Sequence, residues 1–228
     1  MRNSLIIIKK QIKDTFKNKT VLIQFILFPV MTLIMENAIN IDGMPELFFT
    51  KLFSVMYIGM APLTSVASII SEEKEKNTLR VLTMANVKPW QYLLGIGLYV
   101  WLICMIGAGV IATGIKKEDI PCYMLIMAIG FVISIIAGAC IGIFSKNQMA
   151  ATSTVMPAMI VFAFAPMLAM FNESIEKVAR FFYTQQLKCI MDDMTFSTLK
   201  ADNIWILVIN SVLMVSLFFI EFKKKGLE

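Results

Sequence analysis

The sequence predicts an all-α integral membrane protein: six transmembrane helices, an N-terminal amphipathic helix lying in the membrane interface, and short outer helices before the last span. Three observations carry this. Only 16% of the 228 residues are charged and 58% are apolar, with a mean hydropathy of +0.75. A soluble domain carries about 25% charged residues to solvate its surface, whereas apolar surface that faces lipid needs none. Six apolar runs recur, at about 21–39, 52–70, 91–114, 121–144, 149–171 and 203–221, each near the roughly 20 residues that cross a bilayer. Polar or turn-forming segments separate them: Asp42-Gly43-Met44-Pro45-Glu46, Ser71 to Pro89, Lys116 to Pro121, Ser145-Lys146-Asn147-Gln148 and Asn172 to Asp202. The spans leave no room for a large soluble domain, so residues 1–228 read as one unit.

Residues 1–19 form the first element. Leu5, Ile8, Ile12 and Phe16 recur at helical spacing, while Lys9, Lys10, Lys13, Asp14 and Lys17 fill the other side. Such a helix places its apolar stripe in the acyl region and its lysines toward anionic headgroups. The lysines run throughout the first 20 residues and no small-residue cleavage site follows, so this stretch does not read as a cleavable signal peptide.

The distribution of basic residues sets the orientation. With the N-terminus inside, 14 of the 21 Lys and Arg fall on the cytoplasmic side, against six of the 16 acids. Both termini are then cytoplasmic, in the cell membrane. The net charge of +5 lies between apolar runs, where it sets topology, and so argues against nucleic acid as a partner.

The spans differ in character. Glu36 falls at the outer end of the first, at headgroup level, and reads as solvated. The second carries Ser54, Tyr57, Ala61, Thr64, Ser65 and Ser68 at steps of three or four residues, which gives one wet or one closely packed face. In the fourth, Gly130, Ser134, Gly138 and Gly142 recur every four residues and predict a helix–helix seam. Pro157 and Pro166 should bend or locally open the fifth, where Met156, Met159 and Phe162 read either as plain apolar filler or as an adaptable surface suited to greasy cargo. Segment 172–202 carries two short stripes, Ile175, Val178, Ala179 and Phe182, then Leu187, Ile190, Met191 and Met194. They predict two short helices on, or dipping into, the outer leaflet. Cys122 and Cys189 both fall outside, and the pattern leaves their pairing open; Cys104 and Cys140 read as small apolar residues within helices.

Between spans two and three, where a short turn would suffice, stands a cytoplasmic loop over 71–90. Glu72, Glu73, Glu75, Lys74, Lys76 and Arg80 give it dense charge of both signs, and Leu79, Leu82 and Val87 a small apolar face. Physically, it suits either docking into a groove of a soluble partner or ordinary solvation. Its order of residues resembles the segment after the second span in type-2 ABC transporter permeases. There a Glu-rich run leads to a Gly-Thr-Leu/Trp step, a Leu-containing turn, a Pro/Val–Lys/Ser–x–Trp step and a Leu-Leu-Gly that opens span three. Here these are Glu72, Glu73 and Glu75, then Thr78-Leu79-Arg80, then Val87-Lys88-Pro89-Trp90, then Leu93-Leu94-Gly95. Asn77 departs from the family's glycine but also tolerates a left-handed turn. The layout of the whole chain resembles the same family.

What the resemblance implies is an export permease subunit. It dimerises with a second copy or a paralogue, and it couples through Glu72, Glu73, Glu75, Thr78, Leu79, Arg80, Leu82 and Lys88 to a separate ABC ATPase subunit that binds the ATP and Mg. The second and fifth spans line the path in such exporters, which makes Ser54, Tyr57, Thr64, Ser65, Ser68, Met156, Met159 and Phe162 the candidate path residues. The chain has no GxxxxGK[S/T] phosphate loop, no histidine and no metal-ligand spacing, so no cofactor or enzymatic role is expected of it. Two other readings are a membrane immunity or sensor protein acting through segment 172–202, and an ATP-independent secondary transporter. The latter would show inverted repeats or mid-depth carboxylates, and neither is seen.

Overall fold

The computed structural model describes residues 2–17, 19–39, 43–84, 87–194 and 201–225. Among them all regular structure is helical. The elements are α1 (Arg2–Lys17), α2 (Lys19–Ala38), α3 (Phe48–Glu75), α4 (Thr78–Met84), α5 (Pro89–Ala112), α6 (Ile120–Phe144) and α7 (Gln148–Met159). A π-helical turn (Ile160–Phe164), α8 (Ala165–Ala169), α9 (Glu173–Ala179), α10 (Tyr183–Asp193) and α11 (Ala201–Lys225) follow. Five helical stretches are long and apolar enough to cross a membrane: α3, most of α5, α6, the continuous run Gln148–Ala169, and Asp202–Ile220 of α11. The shorter apolar stretch Leu22–Ala38 within α2 stands where the first span is predicted. The protein is an all-α membrane protein, as the sequence predicts. Of the predicted segments, Met1, Asn18, Asp42, Ala85, Asn86 and residues 195–200 lie outside the described residues.

α3 is the axis of the bundle. It packs against α2, α5, α6, α7, the π-turn and α10, and 78% of its apolar stretch is buried within the chain. It runs 28 residues, about 42 Å at 1.5 Å per residue, and so outlasts a hydrocarbon core of about 30 Å. The second span therefore exceeds the 52–70 read from hydropathy. Its last turns are charged, and charge ends the hydropathy signal without ending the helix. Glu and Lys are good helix formers, and the i,i+4 pair Glu72–Lys76 supports the final turn.

The predicted α6 seam is present and faces α3. A Cβ on Gly138 would lie 2.5 Å from the Leu63 carbonyl oxygen, and one on Gly142 2.8 Å from the Ile70 side chain. Glycine thus lets the two backbones touch.

Prolines inside α2 and α3 free carbonyls that hydroxyls of neighbouring helices recover. Proline has no N–H, so the carbonyl four residues earlier loses its helical donor. For Pro29 that carbonyl belongs to Phe25, and it accepts from the Tyr57 hydroxyl of α3 at 3.2 Å. For Pro62 it belongs to Ile58, and it accepts from Ser134 Oγ of α6 at 2.6 Å. Tyr57→Phe is expected to lower stability by about 1–2 kcal/mol, and by clearly less in a Pro29→Ala background, where the backbone N–H returns. Thermal unfolding of the four chains in detergent reads this coupling.

One peripheral expectation is corrected and another is extended. Glu36 is not simply solvated. Its Oε2 accepts from Thr50 N at 2.8 Å and Thr50 Oγ1 at 3.1 Å, capping the first turn of α3, whose own N-cap Leu47 offers no side-chain acceptor. α1 also turns a side toward the bundle that the sequence pattern did not single out. Ile7 and Gln11 are buried against the bundle, Ile8 is partly buried, and Ile6, Lys9, Ile12 and Lys13 are exposed; the side chains of Leu5 and Phe16 lie outside those described. α1 therefore has a protein-facing side as well as an exposed one.

Candidate functional site

The charged end of α3 is a hub rather than a loop. Three consecutive residues each hold a different helix. Glu73, almost buried, accepts from Gln11 Nε2 of α1 at 2.7 Å and pairs with Lys10 of α1, and the Tyr92 hydroxyl of α5 stands beside it. Lys74 Nζ donates to the Ile143 carbonyl at 2.8 Å, near the C-terminus of α6. Glu75 Oε2 accepts from Gln148 N at 2.9 Å, at the N-terminus of α7. The signs match the helix dipoles, a cation at a C-terminus and an anion at an N-terminus. Helical spacing of about 100° per residue sends three neighbours in three directions.

The last of the acidic residues, Glu72, pairs along its own helix with Lys76, and that hydrogen bond raises the Lys76 ammonium above its ordinary range. Beyond the hub the chain turns sharply. Lys76 N and Asn77 N bond back to the Glu72 and Lys74 carbonyls, both at 3.0 Å, and Asn77 adopts φ 55°. This is the left-handed conformation that its side chain tolerates and that closes helices.

From this turn the short helix α4 departs. Leu79 is buried and Thr78 half-buried, while Val81 and Met84 are 63% and 78% exposed; the side chains of Arg80 and Leu82 lie outside those described. Lys88 is exposed and precedes α5, its backbone N–H bonded to Gln91 Oε1 at 3.2 Å. Trp90, at the start of α5, is 53% exposed. Of the predicted coupling residues, then, Glu72, Thr78 and Lys88 keep exposed or half-exposed positions on one elbow. Glu73 and Leu79 turn inward, and Glu75 is engaged with α7.

The predicted path residues divide in two. Ser54 and Tyr57 are fully buried within the chain. Ser54 bonds the Tyr123 hydroxyl at 2.8 Å, and Tyr57 caps the Phe25 carbonyl while packing edge-on against Phe131. They form a packed face, not a wet one, because each hydroxyl is consumed by a neighbouring helix. Ser65 is also buried, with Thr64 half-buried beside it; Thr64 Oγ1 donates to Gln24 Oε1 of α2 at 2.8 Å.

Nearer the hub, Ser68 Oγ accepts from Gln148 Nε2 at 3.4 Å, which ties α3 to α7. Met159 of α7 and Phe162 of the π-turn pack partly against Leu63, Ala67 and Val155, and Met156 of α7 is 56% exposed. Only 22% of the Gln148–Ala169 stretch is buried, so α7 offers an open face beside α3.

The two prolines of this span bracket the π-turn, the local opening the sequence predicts. Gly59 of α3 makes room for it, since a Cβ there would lie 2.8 Å from the Phe162 and Ala163 backbone. Phe162 meets Phe182 and Tyr183 with ring centroids 6.0 Å and 5.2 Å apart, and the Tyr183 hydroxyl bonds Ser134 Oγ at 2.7 Å. The predicted outer helices exist as α9 and α10, and the beginning of α10 dips into the bundle. Cys122 and Cys189 form no disulfide with each other.

Sequence reasoning missed the partners of Glu73, Lys74 and Glu75 and the buried run Tyr183-Thr184-Gln185-Gln186. The first had a signal in the alternating charges that continue an apolar helix. The second had one in a polar run directly ahead of an apolar stripe.

No curated protein sequence matches the chain. The family model described as ABC-2 family transporter protein matches residues 3–221, which takes in the amphipathic helix, the hub, the elbow and all six predicted spans. The chain belongs to this family, and it is a membrane permease of an ABC-type transporter.

Proposed function

We propose that the chain is an export permease subunit whose basic end, with both termini, faces the cytoplasm and seats a separate ABC ATPase on the α4 elbow. One observation carries the reading: α3 runs unbroken from the far side of the bundle to Glu75, grips three other helices there, and continues through one tight turn into a short helix with exposed Val81 and Met84. Force applied to α4 reaches α1, α6 and α7 at the hub together. ATP and Mg belong to the ATPase, which is not this chain. Two permease units, identical or paralogous, enclose the cargo path in the cell membrane, and the open face of α7 with Met156 is the side this chain contributes. The cargo is amphiphilic or hydrophobic.

Co-purification of an ATPase tests the reading first. Met84→Asp on the exposed side of α4, or charge reversal at Glu72 or Arg80, is then expected to weaken that association or the coupled ATPase rate by about tenfold, the size of an interface hot spot. Membrane insertion and thermal stability stay unchanged. ATPase coupling that survives all three substitutions overturns the assignment of the elbow.

A further inference from the structure

The turn between α9 and α10 lies deep in the bundle. The Phe181 carbonyl accepts from Asn210 Nδ2 at 2.9 Å, and Asn210 is the ninth residue of the 19-residue apolar stretch Asp202–Ile220. Tyr183 reaches Ser134, the fifteenth of the 25 residues of α6. Arg180, the C-cap of α9, therefore stands near mid-depth, and it is exposed. Its backbone carbonyl is held by Gln186 Nε2. Its guanidinium forms no ion pair among the described residues; Glu176, one turn earlier, does not neutralise it.

A guanidinium at this depth is unfavourable in lipid. The favourable field of the α9 C-terminus is several times smaller than that penalty. Half a hydrocarbon core is about 15 Å, more than the roughly 7 Å over which an arginine side chain can reach toward the headgroups. Arg180 therefore faces water.

Two further features agree. Glu173, Glu176 and Lys177 are exposed along α9 above it, a charged flank that needs hydration. At the tip itself, Thr184 Oγ1, Gln185 Oε1 and Gln186 Oε1 are buried without a hydrogen-bond partner, which calls for water or a ligand. Beside this wet flank, Leu168, Phe171, Val178 and Phe181 are 45–74% exposed and form an apolar surface.

We infer that Arg180 binds the anionic headgroup, a phosphate or carboxylate, of a single-chain or double-chain amphiphile whose tail lies on this apolar surface. The inference deepens the export reading, on which only its identification of the amphiphile as cargo rests.

The test uses the full chain in a neutral detergent with two probes of equal chain length, lauroyl lysophosphatidate and monolaurin, which differ by the phosphate. Lysophosphatidate is expected to bind at least about tenfold more tightly. The preference should vanish in Arg180→Gln, return in part in Arg180→Lys, and persist in Lys146→Gln at the other end of the molecule. Equal binding of the two probes by the natural chain, or an unchanged preference in a monodisperse Arg180→Gln chain, overturns the site. Because no ATPase enters this assay, its failure is separate from failure of the export reading. Reconstitution with the ATPase then separates the two sources of the headgroup: cargo is moved across the vesicle membrane on ATP addition, and a resident bilayer lipid is not.

Discussion

Glu73→Ala is expected to detach α1 from the bundle and to lower stability by about 2 kcal/mol. Removing one partner of a fully buried ion pair costs about 3–5 kcal/mol, because the other charge is stranded. Here the Glu73 side chain is 9% exposed but Lys10 is 33% exposed, so the ammonium recovers part of its hydration and the figure falls. Gln11, 3% exposed, does not recover its own. The readout is twofold: a lower unfolding temperature in detergent, and faster tryptic cleavage after Lys9, Lys10 and Lys13, because cleavage needs an unwound backbone and α1 frays once it leaves α5. The charge-swapped pair Lys10→Glu with Glu73→Lys should recover part of the loss. If the tryptic pattern of Glu73→Ala matches that of the natural chain, α1 is held by Ile7 and its apolar neighbours alone, and the hub binds two helices rather than three.

The hub also shows where sequence reading stops. The spans were legible because a bilayer imposes a length and an apolarity that each run must satisfy alone. The left-handed turn at Asn77 was legible for a similar reason: its tolerance of positive φ is local. The roles of Glu73, Lys74 and Glu75 are not local. Each depends on which helix end arrives beside it, and a run of mixed charge reads equally well as a solvated surface. Tyr57 illustrates the same limit. Its spacing with Ser54 and Thr64 gave a polar stripe correctly, but only the placement of α2 shows that its hydroxyl answers the carbonyl freed by Pro29. The pairings of proline with hydroxyl, Pro29 with Tyr57 and Pro62 with Ser134, are visible in sequence only as unrelated residues. By contrast the Gly130–Gly142 series was read correctly as a seam, because small residues at four-residue steps have few other uses in a membrane helix.

That seam supports the largest expected effect. Gly138→Ala should destabilise the bundle by about 3 kcal/mol, the upper end of the usual overpacking range. The atoms that a Cβ would meet are the Leu63 carbonyl oxygen at 2.5 Å and its backbone carbons at 3.1 Å, none of which can rotate away. α3 and α6 would have to separate, yet Ser134 bonds the Ile58 carbonyl at mid-seam and Lys74 bonds the Ile143 carbonyl at its end. Separation would therefore also strain the Pro62 cap and the hub. Gly130→Ala should cost less, because the close atoms there are side-chain methyls of Ile58 and Leu187 at 2.8–2.9 Å rather than backbone, and side chains give way more readily. Gly109→Ala should be neutral or slightly stabilising, since nothing lies within 4 Å and alanine is the better helix former by about 1 kcal/mol. The order of unfolding temperatures, Gly138→Ala lowest and Gly109→Ala highest, is the discriminating result. Equal losses at Gly138 and Gly109 would mean that the two helices do not touch along this line, and with that contact would go the transmission from the elbow through α3 into the rest of the permease.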